Sequence, residues 1–459
     1  MASSAAKMSA GRDFMNMLQN TTYQPSGPRD GFIPAVSFEN IQDTDHRRTD
    51  YRDDESIVTT LPQSERDEAI RRDGEAECAC TGWFKRMVLS TPGFPSPIVR
   101  PPKIVYEVRD VVGRGLGVYA TEDIQAGDLI TAERPLIVKM AMNSARARSD
   151  LSPEDILRAT FANLERSMEL LCSRMSSETL RKYTSLYNSH KTDGSGPLTG
   201  IFRTNGFNVG VNDPAIPGVD AANGVYSCVG ALSSRYNHSC LPNASHEFNM
   251  PSFSMEIHAV RPVAKGEEIT VSYTDLSATA AERQAQLKPY GFTCTCMACK
   301  DPGVWDKERA RAILDLLPKT SQGVQHAEAA LAAFEATGLQ TAPRYIELLN
   351  RVAQINRKKG RKSRADELES LAQRVSVAQN GRAHKPKAES DVKNYMFGSP
   401  DELLKFMMQH GNETERASMM KAFMQIANPD PSQGTQIIGP DGNAMTMYAS
   451  DFVPRPSGL

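Results

Sequence analysis

The sequence predicts an α+β protein in which a mostly β central region carries a helical insert and is followed by α-helices. Three patterns support this fold class. Short apolar stretches separated by glycine-rich turns begin at residue 103, which is typical of a small sheet. Residues 152–187 place apolar side chains at helical spacing. Residues 303–380 contain four helix-like segments divided by glycine, proline or Lys-Gly breaks.

The N-terminal region has the composition of an unfolded segment. Residues 1–100 are polar, mixed in charge and poor in apolar periodicity, with a charge-dense run at residues 43–72 and a proline-rich end. Such a composition buries too little apolar surface to offset the conformational entropy lost on folding. We therefore expect residues 1–100 to be largely disordered.

The central region, residues 103–285, is expected to form small twisted sheets with a helical insert at about residues 150–190. Residues 253–259 alternate apolar and polar side chains, and residues 269–273 do the same after an Ala-Lys-Gly turn. That alternation is typical of half-buried strands, so we expect these two stretches to form a strand pair. Further strands are predicted at residues 104–108, 118–120 and 129–137.

The C-terminal third is predicted to be helical and then unstructured. Residues 303–380 should form helical hairpins, because the breaks between their helix-like segments are short. Residues 381–459 are expected to be a mostly disordered tail with one helix at about residues 400–427. That helix would begin at Ser399-Pro400-Asp401-Glu402, which combines a capping-box pattern with proline at the first helical position.

Charge and hydropathy exclude several classes of protein. With 53 basic and 55 acidic residues, the formal net charge is -2, so no overall field attracts nucleic acid or an acidic membrane. The sequence lacks both the roughly 18 consecutive apolar residues of a membrane-spanning helix and the apolar core of a secretion signal. We therefore expect an intracellular protein of the nucleus or cytoplasm, with no membrane partner and no direct contact to nucleic acid.

One local basic run, residues 357–364, supports the rival interpretation that the protein is a zinc-dependent nucleic-acid-binding protein. The same run also fits a nuclear localisation signal. A short run of this kind is more often a solvated helix end and loop. We therefore prefer the solvated surface as the interpretation of this run.

Three cysteines within six residues, Cys294, Cys296 and Cys299, are spaced as metal ligands. In a reducing compartment, clustered thiols favour a metal site over a disulfide framework, and thiolates at this spacing suit tetrahedral zinc. Cys240 is preferred to Cys228 as the fourth ligand, and such a site would tie the cysteine-rich segment 286–300 to the central region. Three cysteines are assigned no ligand role, since two precede the central region and one lies on a helix face: Cys78, Cys80 and Cys172.

Further motifs lie on either side of the helical insert. Residues 113–117, Gly-Arg-Gly-Leu-Gly, follow a predicted strand, and glycines there let the backbone approach a ligand closely. Alone, this motif fits a hairpin turn equally well, and it matches neither a P-loop nor a dinucleotide fingerprint. Residues 235–244 include Asn-His-Ser-Cys and precede the strand that ends in Tyr273. Tyr-Gly-Phe at residues 290–292 then leads into the cysteine triplet.

Taken in this order, the motifs between residues 103 and 299 resemble those of the SET-domain protein-lysine methyltransferases, and among these the SET and MYND (SMYD) group. The resemblance implies S-adenosylmethionine as methyl donor, zinc in a post-SET segment, and lysines of histones or other proteins as substrates. The cofactor contacts implied are Arg114, Gly115, Leu116, Gly117, Asn205, Asn237, His238 and Phe292. The substrate channel implied is lined by Tyr226, Tyr273 and Tyr290, with Tyr273 as catalytic tyrosine. The zinc ligands implied are Cys240, Cys294, Cys296 and Cys299.

Methyl transfer requires a neutral lysine amine, although the pKa of free lysine is about 10.4. A desolvating aromatic channel and a nearby sulfonium charge would both lower that pKa. The Tyr273 hydroxyl is then expected to orient the amine and not to accept its proton.

The chain departs from the SMYD pattern in its insert. Residues 139–203 contain a single cysteine, Cys172, so they lack the ligands for the two zinc sites of a MYND module. This departure supports an alternative function, in which a catalytically silent SET-fold protein binds peptides or serves as a scaffold. The presence of Asn237, His238, Tyr273 and Phe292 favours an active enzyme.

Overall fold

The structure is a computed structural model, and it divides into two compact units, residues 1–384 and 385–459. The residues that it describes are 41–45, 47–63, 67–111, 115–140, 153–209, 226–314, 317–319, 323–381, 435–438 and 444–447. The predicted α+β fold class is confirmed, since small sheets alternate with helices along the described part of the first unit.

Three sheets lie in the described part of the first unit. Their strands are β1 Ile41–Gln42, β2 Ser56–Leu61, β3 Ala76–Thr81, β4 Tyr106–Val111, β5 Gly115–Ala120, β6 Leu129–Glu133, β7 Ile137–Met140, β8 Phe207–Asn208, β9 Tyr226–Val229, β10 Asn237–His238, β11 Ala244–Asn249, β12 Ser254–Ala259 and β13 Glu268–Val271. The strand order is β1-β2-β3-β7-β9-β8 in a six-stranded sheet, β10-β13-β5-β4 in a four-stranded sheet and β11-β12-β6 in a three-stranded sheet.

The helices of this unit lie in three places. Two short ones follow β2 and β3, namely α1 Glu68–Arg72 and α2 Gly82–Ser90. The insert contains α3 Pro153–Arg174, α4 Ser177–Thr184 and α5 Pro197–Asn205, so it extends beyond the predicted end at about residue 190. After β13 follow α6 Ala280–Leu287, α7 Met297–Lys300, α8 Pro302–Leu314, α9 Val324–Ala336, α10 Pro343–Lys358 and α11 Lys362–Asn380. None of the described helices is long and apolar enough to cross a membrane.

The four-stranded sheet brings the sequence motifs together. β4 and β5 form a hairpin, and β13 pairs antiparallel with β5. β10 pairs parallel with β13, which places Asn237 opposite Thr270 and His238 opposite Val271. The glycine motif, the Asn-His pair and the strand that leads to Tyr273 therefore lie side by side, although they are far apart in the sequence.

The two predicted strands both form, as β12 and β13, but they lie in different sheets and do not pair with each other. β12 pairs with β11 and β6, whereas β13 pairs with β5 and β10. β12 is also buried on both faces. Ser245 on β11 lies opposite His258 on β12, and its hydroxyl donates to the Ala378 carbonyl of α11. The His258 end of this strand therefore lies beside a helix and is shielded from water.

The expectation that residues 1–100 are largely disordered does not hold for residues 41–45, 47–63 and 67–100, which are folded. β2 and β3 form a buried antiparallel hairpin, and β3 also pairs in parallel with β7 of the central region. Cys78 and Cys80, which the sequence placed outside the core, are buried within it. Local composition misses this hairpin because its partner strand comes from a distant part of the chain. Residues 1–40 lie outside the described residues.

A buried ion pair ties the start of the described chain to this region. Lys85 on α2 and Asp43 after β1 are 0% and 3% exposed, and the Lys85 amine donates to the Asp43 carboxylate. The Tyr51 hydroxyl donates to the same carboxylate at 2.9 Å. Burial alone would raise the pKa of Asp43, but hydrogen bonds from Lys85, Thr59 and Tyr51 lower it. The carboxylate is therefore charged and paired in the folded protein.

The second unit contains one described hairpin, formed by β14 Thr435–Ile438 and β15 Ala444–Met447 in antiparallel register. The expectation of a mostly disordered tail did not include these two strands. The helix expected at about residues 400–427 lies outside the described residues.

Replacing Lys85 with methionine should destabilise the protein by about 3–5 kcal/mol, because it leaves the buried Asp43 carboxylate without its partner. The free energy of unfolding is measured by urea titration followed by circular dichroism. Lys103→Met is the matched control, since the Lys103–Glu122 pair is exposed and such pairs contribute about 0–1 kcal/mol. Equal unfolding free energies for the two variants would contradict the stabilising role of the buried pair.

Candidate active site

Asn237 on β10 reaches across the four-stranded sheet to the glycine-rich start of β5. Its side-chain amide donates to the Leu116 carbonyl at 3.1 Å and to the Glu268 carboxylate at 2.8 Å. Gly117 is required beside it, because a Cβ atom there would lie 2.9 Å from the Asn237 amide nitrogen and 2.7 Å from the Glu268 carboxylate. Gly115 has a φ of +70°, in the left-handed region that favours glycine. The glycines are therefore needed for both the turn and the close packing.

His238 connects the same sheet to Tyr273. The Tyr273 backbone N–H donates to His238 Nδ1 at 3.0 Å. That acceptor role places the imidazole proton on Nε2, which lies 3.2 Å from Cys240 Sγ. Burial lowers the pKa of His238 to about 4, so the ring is neutral near pH 7 and keeps this tautomer. His238 therefore fixes the position of Tyr273 relative to Cys240.

The Tyr273 hydroxyl donates to the main-chain carbonyl of Tyr236 at 2.6 Å. Because the hydroxyl proton is engaged in this hydrogen bond, the hydroxyl oxygen can only accept a further hydrogen bond, through its lone pairs. Burial raises the pKa of Tyr273 above its ordinary value, and the neighbouring Tyr290 and Glu268 add to the shift. The hydroxyl is therefore un-ionised at neutral pH.

A cavity of about 170 Å³ opens beside Tyr273. Tyr290 and Phe207 line it with Tyr273, and the ring centroids of Tyr273 and Tyr290 are 4.9 Å apart. Asn208 and His246 are also among its lining residues. This arrangement provides an aromatic wall for an aliphatic chain together with hydrogen-bonding groups for a polar end.

The other residues predicted for the cofactor site lie around this cavity and the adjoining sheet. Asn205 ends α5 and lines the cavity, and its amide donates to two main-chain carbonyls at 2.7 Å each. Phe292 is 42% exposed, with its ring centroid 6.1 Å from that of His238. Part of the Phe292 ring is therefore accessible to a ligand. Arg114 lies outside the described residues.

Tyr226, predicted to line the substrate channel, is not among the residues that line this cavity. It is fully buried, its ring stacks on Phe84 with centroids 3.8 Å apart, and its hydroxyl accepts a hydrogen bond from the Thr81 N–H at 3.1 Å. Strand β9 directs this side chain into the core. Phe207 lines the cavity instead. A single aromatic residue after a glycine has no diagnostic spacing, so the sequence alone does not predict this position.

The four cysteines predicted as metal ligands converge. The Sγ atoms of Cys240, Cys294, Cys296 and Cys299 all lie within 4.8 Å of one another. Cys240 Sγ lies 3.5 Å from that of Cys299 and 3.9 Å from that of Cys294. Zinc bonded tetrahedrally to four thiolates at about 2.3 Å would hold the sulfur atoms about 3.8 Å apart. The donor atoms and their spacing therefore fit a tetrathiolate zinc ion.

The remaining cysteines named above lie elsewhere. Cys228, the alternative fourth ligand, is fully buried on β9 of the six-stranded sheet. Cys172 packs with apolar side chains of the helical insert. The geometry thus groups Cys240, and neither of these, with the triplet.

The family model described as SET domain matches residues 115–274, which contain the glycine motif from Gly115, the Asn-His pair and Tyr273. This chain contains a SET domain. The match begins with β5 and ends just after Tyr273, so the cysteine triplet and the helices from α6 onward lie beyond it.

Curated relatives of this SET domain carry the names of histone methyltransferases. Histone-lysine N-methyltransferase set5 of Schizosaccharomyces pombe is 30% identical over 216 residues, which cover 47% of this chain and 55% of the relative. Histone-lysine N-methyltransferase SMYD3 of Homo sapiens is 41% identical over 78 residues, which cover 17% of each chain. The chain therefore spans about half, or less, of the length of these relatives.

One solved structure, the Neurospora SET domain protein DIM-5, a histone lysine methyltransferase, aligns with 47% of this chain and 70% of its own. The sequence identity is 16% and the TM-score is 0.21.

Replacing Cys296 with serine should reduce bound zinc well below one ion per chain, because it removes one of the four thiolates. The unfolding temperature should fall as well, since metal binding contributes to folding. Zinc is measured by elemental mass spectrometry on the purified protein. Cys172→Ser is the control, because that buried thiol lies outside the group of four. Full zinc content in the Cys296→Ser protein would argue against a four-thiolate site.

Proposed function

We propose that this chain is a protein-lysine N-methyltransferase that uses S-adenosylmethionine as methyl donor. The proposal is carried by the connected path from Leu116 through Asn237 and His238 to Tyr273, beside an aromatic cavity. Relatives of its SET domain are named histone-lysine methyltransferases, which supports a lysine side chain as the substrate. That lysine would lie in a histone or in the tail or loop of another protein.

The residues that would hold the cofactor combine main-chain groups of the glycine motif with side chains near β10. S-adenosylmethionine would supply the methyl group as an electrophilic carbon on a positively charged sulfur. The protein would orient that group through elements that are already fixed by the hydrogen bonds of Asn237. The proposed contacts are Arg114, Gly115, Leu116, Gly117, Asn205, Asn237, His238 and Phe292.

The aromatic cavity would lower the pKa of the substrate lysine. An ammonium group that enters between Tyr273, Tyr290 and Phe207 loses much of its water, and desolvation disfavours the charged form. The pKa must fall from about 10.4 for a useful fraction of the amine to be neutral at pH 7. The proton would leave to solvent. The nitrogen lone pair would then form the new N–C bond while the bond between the methyl carbon and sulfur breaks.

Tyr273 would align this amine and would not take its proton. Because its hydroxyl already donates to the Tyr236 carbonyl, the oxygen is left to accept a hydrogen bond from the amine. The raised pKa of Tyr273 disfavours the tyrosinate that a general base would require. We therefore propose that Tyr273 orients the amine so that the nitrogen lone pair points at the methyl carbon.

Zinc bound by Cys240, Cys294, Cys296 and Cys299 would hold the segment at residues 286–300 against the SET domain. That segment carries Tyr290, which lines the cavity, and Phe292, which lies near His238. A reducing compartment, the nucleus or the cytoplasm, would keep these thiols available to the metal. Zinc would thus act in assembly of the site and not in the transfer itself.

Replacing Tyr273 with phenylalanine should lower kcat about 10²-fold, because loss of alignment in a positioned reactant costs about that much. Cofactor affinity should change little, since the aromatic ring is retained. Single-turnover assays with labelled S-adenosylmethionine measure the rate, and calorimetry measures the affinity. Tyr187→Phe is the matched control, because Tyr187 is 63% exposed. An undiminished kcat in Tyr273→Phe would rule out the alignment role.

The activity itself is tested by incubating the full chain with labelled S-adenosylmethionine and a cell extract. Mass spectrometry then locates and counts the methyl groups on modified peptides. Methyl-lysine that depends on the intact Tyr273 would support the proposal. A protein that binds the cofactor yet transfers no label would instead be a silent SET protein that binds peptides.

A further inference from the structure

Arg283 of helix α6 is buried beside the four cysteines. Its side chain is 0% exposed, and its Nε donates to Cys240 Sγ at 3.3 Å. One of its terminal nitrogens lies 4.0 Å from Cys299 Sγ, and the other donates to the Asp306 carboxylate at 3.3 Å. This guanidinium therefore bridges two of the thiols and a carboxylate on the next long helix, α8.

A second buried arginine, on α8, contacts the main chain of Cys240. Arg309 is 2% exposed, and it donates to the main-chain carbonyls of Cys240 and Thr337. In the described part of the chain it has no carboxylate partner, and one of its terminal nitrogens has no hydrogen-bond partner. Two buried guanidinium groups therefore lie next to Cys240, with Asp306 as the carboxylate bonded to one of them.

Burying two positive charges is costly unless negative charge lies close to them. The four cysteines would supply this negative charge once they hold zinc, because four thiolates and one divalent cation together have a net charge of about -2. The reverse also holds, since a buried tetrathiolate centre with that charge needs cations around it. The arginines and the proposed metal centre are therefore complementary in charge and position.

Cys240 is the thiol on which these contacts converge. Besides the Arg283 Nε–H, its sulfur faces His238 Nε2 at 3.2 Å. Two N–H groups, one from each of these side chains, thus point at one sulfur atom. Groups that hydrogen-bond to a metal ligand in this way orient the ligand and adjust its affinity for the metal.

We propose that Arg283 and Arg309 are the charge-compensating residues of the tetrathiolate zinc centre, and that helix α8 is thereby a structural part of that centre. The inference rests on the proposed zinc site and extends it beyond the four ligands. Both arginines are positioning residues, because they act on the metal through Cys240. Cys240 is hydrogen-bonded to His238, and His238 to the backbone of Tyr273. The zinc centre would therefore connect α8 to the proposed catalytic tyrosine.

The test compares zinc retention by full-length variants against a competing chelator, with Zn²⁺ alone as the added ligand. Arg283→Met and Arg309→Met should each lose zinc affinity by about 10-fold to 100-fold, as expected for groups that support metal ligands. Arg283→Lys should recover part of that loss, because it restores the charge without the planar fork. Arg311→Met is the matched control, since Arg311 is an exposed arginine on the same helix, and it should behave as the wild type.

Folding of each variant is checked by circular dichroism, and if one arginine variant does not fold, the other decides the outcome. Folded arginine-to-methionine variants that hold zinc as tightly as the wild type would overturn the inference. An Arg283→Lys protein no better than Arg283→Met would also overturn it, because the effect would then not be one of charge. A wild-type protein that takes up no zinc would instead refute the zinc site itself.

Discussion

The parallel pairing of β10 with β13 is the constraint on which the rest of the site depends. From this pairing Asn237 reaches the glycine strand, and His238 receives the backbone N–H of Tyr273. Side chains alternate between the two faces of a strand, so a shift in register by one residue would exchange these two side chains. Both sets of hydrogen bonds would then be lost. Cys240 follows within two residues, so the same pairing also positions the first thiol of the cysteine group.

The site is a network of buried polar groups that satisfy one another. The imidazole of His238 uses both ring nitrogens, one toward Tyr273 and the other toward Cys240, and the Tyr273 hydroxyl bonds the Tyr236 carbonyl. In a medium of low dielectric constant, each unsatisfied group is costly, so such a network favours a single arrangement. Alignment of a reacting amine benefits directly from that rigidity.

Short motifs are enough to name Asn237, His238, Tyr273 and the cysteine triplet as candidates, because each motif is contiguous in the sequence. The contacts that bring these motifs together are not local, as the hydrogen bond from Asn237 to Leu116 shows. The sequence does not reveal that Phe207, and not Tyr226, lines the cavity, since the direction of each side chain depends on how β8 and β9 pair with each other and with β7. The folded hairpin of β2 and β3 was missed for a similar reason. Its burial depends on β7, which follows much later in the chain. The α+β class was predictable from periodicity, whereas the partner of each strand was not.

Helix α11 lies on the polar face of the three-stranded sheet, where Ser245 donates to the Ala378 carbonyl. On the same face, the side chains of Glu256 and His258 are buried, with 6% and 4% of their surface exposed. His258 Nε2 lies 3.1 Å from Glu256 Oε2. A truncated protein that stopped at the last cysteine would expose this charged surface and lose the packing of α11. Helix α11 lies beyond the residues that match the SET domain, yet it covers one face of a sheet within them.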